Sequence, residues 1–241
     1  MNKESQPLFT RNFMKLNAAL ILACFLLISN AQLCAQKQIG FGIHADPVIS
    51  WFSSDNSSVK NDGTRPGLNF GLTVRKYFAA NYAFTGGISL INAGGRISYG
   101  DTIRMVFTNS RYSHVTVAPG KSVVYHLRYL AFQAGLRLQT NEIGRIRFFT
   151  DIGLDPKVAI WARADIPSLG IKGSKPVNDI NLLNLSYYVS GGIEYTLEGD
   201  TALVFGLNFD NNFLDSTNND SNRPDDILSH KILSFRIGLN F

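Results

Sequence analysis

The chain has 241 residues, with 23 lysines and arginines against 18 aspartates and glutamates, for a net charge of +5. That balance is too mild to point to a nucleic-acid partner, and none is expected. The two cysteines, Cys24 and Cys34, both fall in the first 35 residues, so the rest of the chain is without disulfides, thiol catalysis or cysteine metal sites.

Residues 1–35 are expected to be a signal peptide. Lys15 precedes an apolar run from Leu16 to Ile28, then Ser29, Asn30, Ala31 and a small-residue end at Ala35. The run is roughly 13 residues, short of the ~20 that a spanning helix needs. Met14-Lys15 reads as an ordinary leader start. Cleavage is expected after Ala35, with Ala31 as the alternative. Lipid attachment at Cys34 is disfavoured by Leu33 before it. Loss of Lys3, Glu4, Arg11 and Lys15 leaves a charge of about +3 on residues 36–241, a length that suits one domain.

Eight segments then alternate apolar with polar or small residues, the period of a strand with two unlike faces. They are 39–51, 68–77, 82–92, 127–139, 146–164, 183–197, 202–213 and 231–241. Most are near the length that a tilted membrane-spanning strand requires. The connections 79–81, 140–145 and 198–201 are tight and polar. Those at 53–67, 93–126, 165–182 and 211–230 are long and rich in Asn, Asp, Ser, Gly and Pro. Short turns at one end and long loops at the other, with an even strand number, is the outer-membrane pattern, and it puts both ends of the barrel on the periplasmic side. Within 93–126, Ile103–Phe107 and Val115–Tyr125 flank Pro119-Gly120, which suggests a hairpin extending the third and fourth strands.

The polar phase separates a membrane barrel from a water-soluble one. After the first segment each carries a glycine there: Gly71, Gly87, Gly135, Gly153, Gly192, Gly206 and Gly238. A water-facing strand would hold Lys, Glu and Thr instead, whereas small residues suit a narrow lumen. Aromatics gather near segment ends as two expected girdles. Tyr77, Phe78, Tyr82, Phe148, Tyr195 and Phe241 are on the turn side; Trp51, Phe52, Tyr129, Trp161, Tyr187 and Phe213 are on the loop side.

The polar phase also holds Arg75, Arg137, Arg147, Asp151, Arg163, Glu194, Asp210 and Arg236. Charges confined in a narrow lumen must pair, so a plugging ion-pair network is favoured over a conducting path. His44 with Asp46 has the composition of a base and its orienter, but no serine nucleophile is tied to it by a motif. His114 and His126 lie in or beside the long loop. Gly40-x-Gly42-x-x-Ala45 opens a strand with no helix after it, so it is not a dinucleotide site. Asp210, Asp215, Asp220, Asp225 and Asp226 make an oxygen-rich stretch without EF-hand spacing, expected to be solvated loop. No catalytic, cofactor-binding or metal residue is assigned, and no cofactor is expected.

From Leu233 to Phe241 the alternation is strict and ends on the aromatic. It resembles the closing strand of outer-membrane barrels, which implies recognition by the barrel-assembly machinery. The run Arg128-Tyr129-Leu130-Ala131-Phe132-Gln133-Ala134-Gly135-Leu136-Arg137-Leu138, then Phe148-Phe149-Thr150-Asp151-Ile152-Gly153-Leu154, resembles the PorT-like outer-membrane β-barrel family. Ala131 and Gln133 depart from it where members often carry Glu and Pro. The resemblance brings no catalytic residues and implies partners among envelope or secretion proteins.

The expected fold is all-β: an eight-stranded antiparallel transmembrane β-barrel, an up-and-down meander over 36–241, set in outer-membrane lipid. The expected role is non-enzymatic, as an envelope structural, adhesion or secretion-accessory component acting through outer loops. A small pore or ligand-binding barrel, and a soluble periplasmic lipocalin-like carrier, are the alternatives.

Overall fold

A computed structural model of the protein describes residues 39–108, 114–176, 180–197, 199–217 and 227–241. The expected leader, and Asp220, Asp225 and Asp226, lie outside the described residues. The strands are β1 (Ile39–Ser54), β2 (Val59–Gly63), β3 (Arg65–Ala79), β4 (Tyr82–Tyr99), β5 (Ile103–Thr108), β6 (His114–Val117), β7 (Ser122–Gln139), β8 (Ile146–Ile166), β9 (Ile171–Pro176), β10 (Leu183–Thr196), β11 (Ala202–Asn212) and β12 (Leu228–Asn240).

Eight of these close into an antiparallel ring, β1-β3-β4-β7-β8-β10-β11-β12 and back to β1. They are the eight segments expected from alternation. The closing seam pairs Ile43 with Leu239 and Trp51 with Lys231. At its foot Phe41 and Phe241 exchange backbone hydrogen bonds of 3.2 and 2.8 Å. Full closure leaves the ring no unpaired edge, which is what lets a sheet cross lipid.

Outside the ring, large apolar side chains stand exposed as a belt: Phe41 on β1, Leu72 on β3, Phe84 on β4, Phe148 on β8 and Phe235 on β12. On β12, Phe235 is 62% exposed while its neighbours Ser234 and Arg236 are 2% and 7%. This is the reverse of a lipocalin and fits contact with hydrocarbon. Glycine on the inner face has a steric cause. A Cβ on Gly71 would collide with both His44 and Ser89, and one on Gly153 with the backbone of Ala134.

On the loop side the strands run past the belt. β4 and β7 pair up to Ser98 with Ser122, so the 93–126 connection does extend the third and fourth strands. β5 and β6 form their own hairpin outside the ring, with Ile103 opposite Val117, so the eight-strand count stands. β9 pairs with the end of β8 and touches β5 at Phe107 with Pro176. β2 pairs with the outer end of β4.

In this outer part the inner face becomes apolar. Along β4 the inward series passes from Gly87 and Ser89 to Ile91, Ala93, Ile97 and Tyr99. Those side chains join Phe52, Ile103, Met105, Phe107, Val117, Val123, Tyr125, Leu127 and Ile166 in one buried core. Burying each large side chain of this kind contributes about 1.5–3 kcal/mol.

Candidate functional site in the lumen and at its outer mouth

The lumen is filled in layers, beginning at the short-turn end. Glu194 of β10 is the hub of the first. Its Oε1 accepts from Arg75 Nη1 at 2.8 Å, from Asn240 Nδ2 at 2.6 Å and from Arg137 Nη1. Arg137 also grips Asp151 with Nε and Nη2, at 2.6 and 2.8 Å. Its guanidinium lies 4.0 Å from the centre of the Phe149 ring. Five ring strands thus meet in one network of charge-assisted bonds. Arg147, half-exposed at the rim, reaches Glu142 at 3.1 Å and Glu194 at 3.7 Å.

Higher up, Arg236 holds Asp46 at 3.4 Å, and His44 Nδ1 sits 2.9 Å from the same oxygen. Above that, Lys157 Nζ donates to both oxygens of Asp210, at 2.7 and 2.8 Å, with Asp155 at 3.6 Å. A neutral layer follows. Asn212 donates to Asn184 at 2.8 Å and to Ser216 at 3.1 Å; Ser216 meets His230 Nδ1 at 3.0 Å; His230 stacks on Tyr129 with ring centres 5.3 Å apart. The apolar core then closes the mouth.

Little space is left. Among the described residues a cavity of about 30 Å³ lies between Arg75, Arg137, Tyr188 and Arg236, room for a water or two. A second, of about 10 Å³, touches His44, Ser89, Asp155 and Asp210. His44 and Ser89 border the same face of Gly71, but this space is too small for any substrate.

Six of the eight charges expected in the lumen are buried there: Arg75, Arg137, Asp151, Glu194, Asp210 and Arg236. Arg147 is at its edge. Arg163 is not in the lumen. β8 carries a bulge, with Tyr129 opposite Ala159 and Arg128 opposite Trp161, so Ile160 is extra. One extra residue swaps the faces of everything beyond it. Arg163 therefore points outward beside Trp161, its Cζ 5.3 Å from the ring.

Two girdle assignments are corrected as well. Phe52 and Tyr129 are buried inside, because the inner face above the belt is apolar. The remaining loop-side aromatics, Trp51, Trp161, Tyr187 and Phe213, stay at the outer surface. Sequence reasoning also passed over Asp155, Lys157 and His230. The first two share the inward phase of Asp151, four and six residues on, which was the available signal. His230 lies one residue before the expected eighth segment. Of the acidic stretch, Asp210 is lumenal, and Asp215 caps a turn by accepting from the backbone of Thr217 and Leu228, both at 3.0 Å. His126, expected as loop, meets Asp165 at 2.9 Å.

A closed antiparallel ring with an apolar outer belt and a polar, filled lumen defines an outer-membrane β-barrel. The outer membrane protein beta-barrel domain family matches residues 30–208, and the chain belongs to it. The protein is an outer-membrane protein. Among solved structures it is similar to Neisserial surface protein A, with 13% identity over 83% of this chain and 95% of that one and a TM-score of 0.45. OprG from Pseudomonas aeruginosa shares 10% identity over 84% and 95%, with a TM-score of 0.43. Ail of Yersinia pestis, solved with the heparin analogue sucrose octasulfate, shares 13% over 85% and 99%, with a TM-score of 0.41. No curated protein sequence matches the chain.

Proposed function

We propose that this protein is a non-enzymatic, non-conducting barrel that serves the envelope through its outer face, as a structural, adhesion or secretion-accessory component. The observation that carries this reading is the filled lumen: ion pairs from seven ring strands below, an apolar core above, and cavities of about 30 and 10 Å³. An interior filled in this way, among the described residues, argues against a path for ions and against a pocket for a substrate. The outer ends of β4, β7 and β8, with β2, β5, β6 and β9 packed on them, make a built platform for a partner protein. Residues 1–35 act as the leader, β12 presents the assembly signal, and both are part of the proposal.

The test is electrical. The purified protein in a planar lipid bilayer should give no stable conductance steps. Steady single-channel currents would replace this reading with the small-pore alternative.

A further inference from the structure

The outer surface of β7 and β8 carries a second constellation, unconnected to the lumen. From Arg128 toward the short-turn end, the outward side chains of β7 are Leu130, Phe132, Ala134, Leu136 and Leu138. At ~3.3 Å per residue and a tilt of ~40°, that stretch rises about 25 Å, the full height of an outer-membrane apolar band. Arg128 therefore stands where the outer leaflet's acyl chains give way to headgroups. Across the strand pair lies Trp161, with Arg128 Cζ 5.3 Å from its ring and Arg163 Cζ also at 5.3 Å.

Arg65, on β3, reaches the same region. It donates to the Ala93 carbonyl at 3.2 Å and lies within electrostatic range of Arg128 and Asp165. Asn92 holds Arg128 by accepting from its Nε at 3.1 Å, which leaves the rest of the fork free to turn outward. Among the described residues none of the three guanidiniums has a carboxylate within ion-pair distance. The one acid nearby, Asp165, is taken by His126 at 2.9 Å and the backbone N–H of Gly173 at 2.5 Å. Among the described residues these arginines make no direct ion pair, whereas in the lumen Arg75, Arg137 and Arg236 are each matched to an acid. The bulge at Ile160 sharpens the contrast, since without it Trp161 and Arg163 would face inward.

We infer that Arg128 and Arg163, set against Trp161, together with Arg65 within electrostatic reach of Arg128, form a binding site for the phosphate of a phosphorylated glycolipid in the outer leaflet. The guanidinium fork matches phosphate oxygens two at a time, and the forks of Arg128 and Arg163 sit at headgroup depth. Trp161 braces two of the forks and keeps its own ring in the interface, the depth at which Trp is most at home. Leu130, Phe132 and Ile160 below them offer the apolar surface that the lipid's chains require. The site stands whether or not the outer platform binds a protein.

The test uses the full folded protein in phosphatidylcholine nanodiscs doped with diphosphorylated lipid A, with bound lipid counted by native mass spectrometry after release. Wild type should retain the lipid, and the Arg65→Gln/Arg128→Gln/Arg163→Gln variant should retain at least tenfold less. Lipid A stripped of its phosphates should not compete, nor should inorganic phosphate. Equal retention by the variant, equal binding of the phosphate-free lipid, or displacement by inorganic phosphate would each overturn the site. A readout independent of that variant comes from Trp51→Phe, which leaves Trp161 as the only tryptophan. Its emission should shift when the phosphorylated lipid, but not the stripped one, is added; an unchanged spectrum counts against the inference.

Discussion

Below Lys157 the ring is packed with charge: Glu194 alone takes hydrogen bonds from Arg75, Arg137 and Asn240. Above Tyr129 the same ring is packed with Phe52, Ile97, Tyr99, Tyr125 and Leu127. The lipid explains the difference. Where hydrocarbon lies outside, the apolar residues are drawn outward and the interior is left to polar groups that must satisfy one another. Where water lies outside, the strands return to the ordinary order of a soluble sheet, polar out and apolar in. An ionic filling needs particular partners from distant strands, whereas an apolar filling needs mainly the right volume.

That comparison can be broken at its most connected point. Glu194→Ala should leave Arg75 without an acid beside Arg137, which keeps Asp151, and cost about 3–5 kcal/mol, since removing one partner leaves buried charge uncompensated. Urea unfolding in detergent micelles should show the loss, and the unboiled gel band should become sensitive to mild heating. Glu194→Gln, which keeps an acceptor, should lose less.

In the outer half the matching change is Ile103→Ala. The cavity it leaves should cost about 2–5 kcal/mol. The loss should stay local: limited proteolysis should speed up between β4 and β7 while the boiling-dependent gel shift persists. If that shift disappears too, the two halves are one cooperative unit.

A double replacement sharpens the contrast further. Lys157→Met should destabilise by leaving Asp155 and Asp210 side by side, and adding Asp210→Leu should recover part of that loss, with Asp155 still buried beside no cation. Buried ion pairs exchanged whole for apolar groups are often close to neutral. A double variant no better than the single one, again by urea unfolding, would show that the ionic filling contributes stability of its own.

The smallest effect is expected at Gly71→Ala. Its methyl would press on His44 and Ser89, and overpacking of this kind costs about 1–3 kcal/mol. A shift in the urea midpoint without a change in slope checks it.

All eight ring strands were legible because alternation persists wherever one face meets lipid. Their outer extensions were harder to see. Residues 93–99 and 122–126 still alternate, but nothing in the pattern announces that apolar has moved from the outer face to the inner one. Phe52 and Tyr129 were misplaced for that reason. Arg163 was misplaced for another: the residue count across the bulge at Ile160 depends on the partner strand, which a single segment does not reveal. The lumenal charges could be collected by phase, yet their pairing could not. Whether Glu194 meets Arg75 or Arg236 depends on the stagger of eight strands around the ring.

Closure of the ring joins residues nearly two hundred positions apart, Gly42 with Asn240. Contacts so distant along a chain form late and slowly. Asn240 is also the last donor that Glu194 receives, so the charge network is incomplete until the seam is made. An open intermediate therefore carries two penalties at once, a pair of bare strand edges and an acid short of a partner. The order of events follows: seven strands can be in place while the interior is still unsettled, and only the eighth makes the barrel both closed and electrically content.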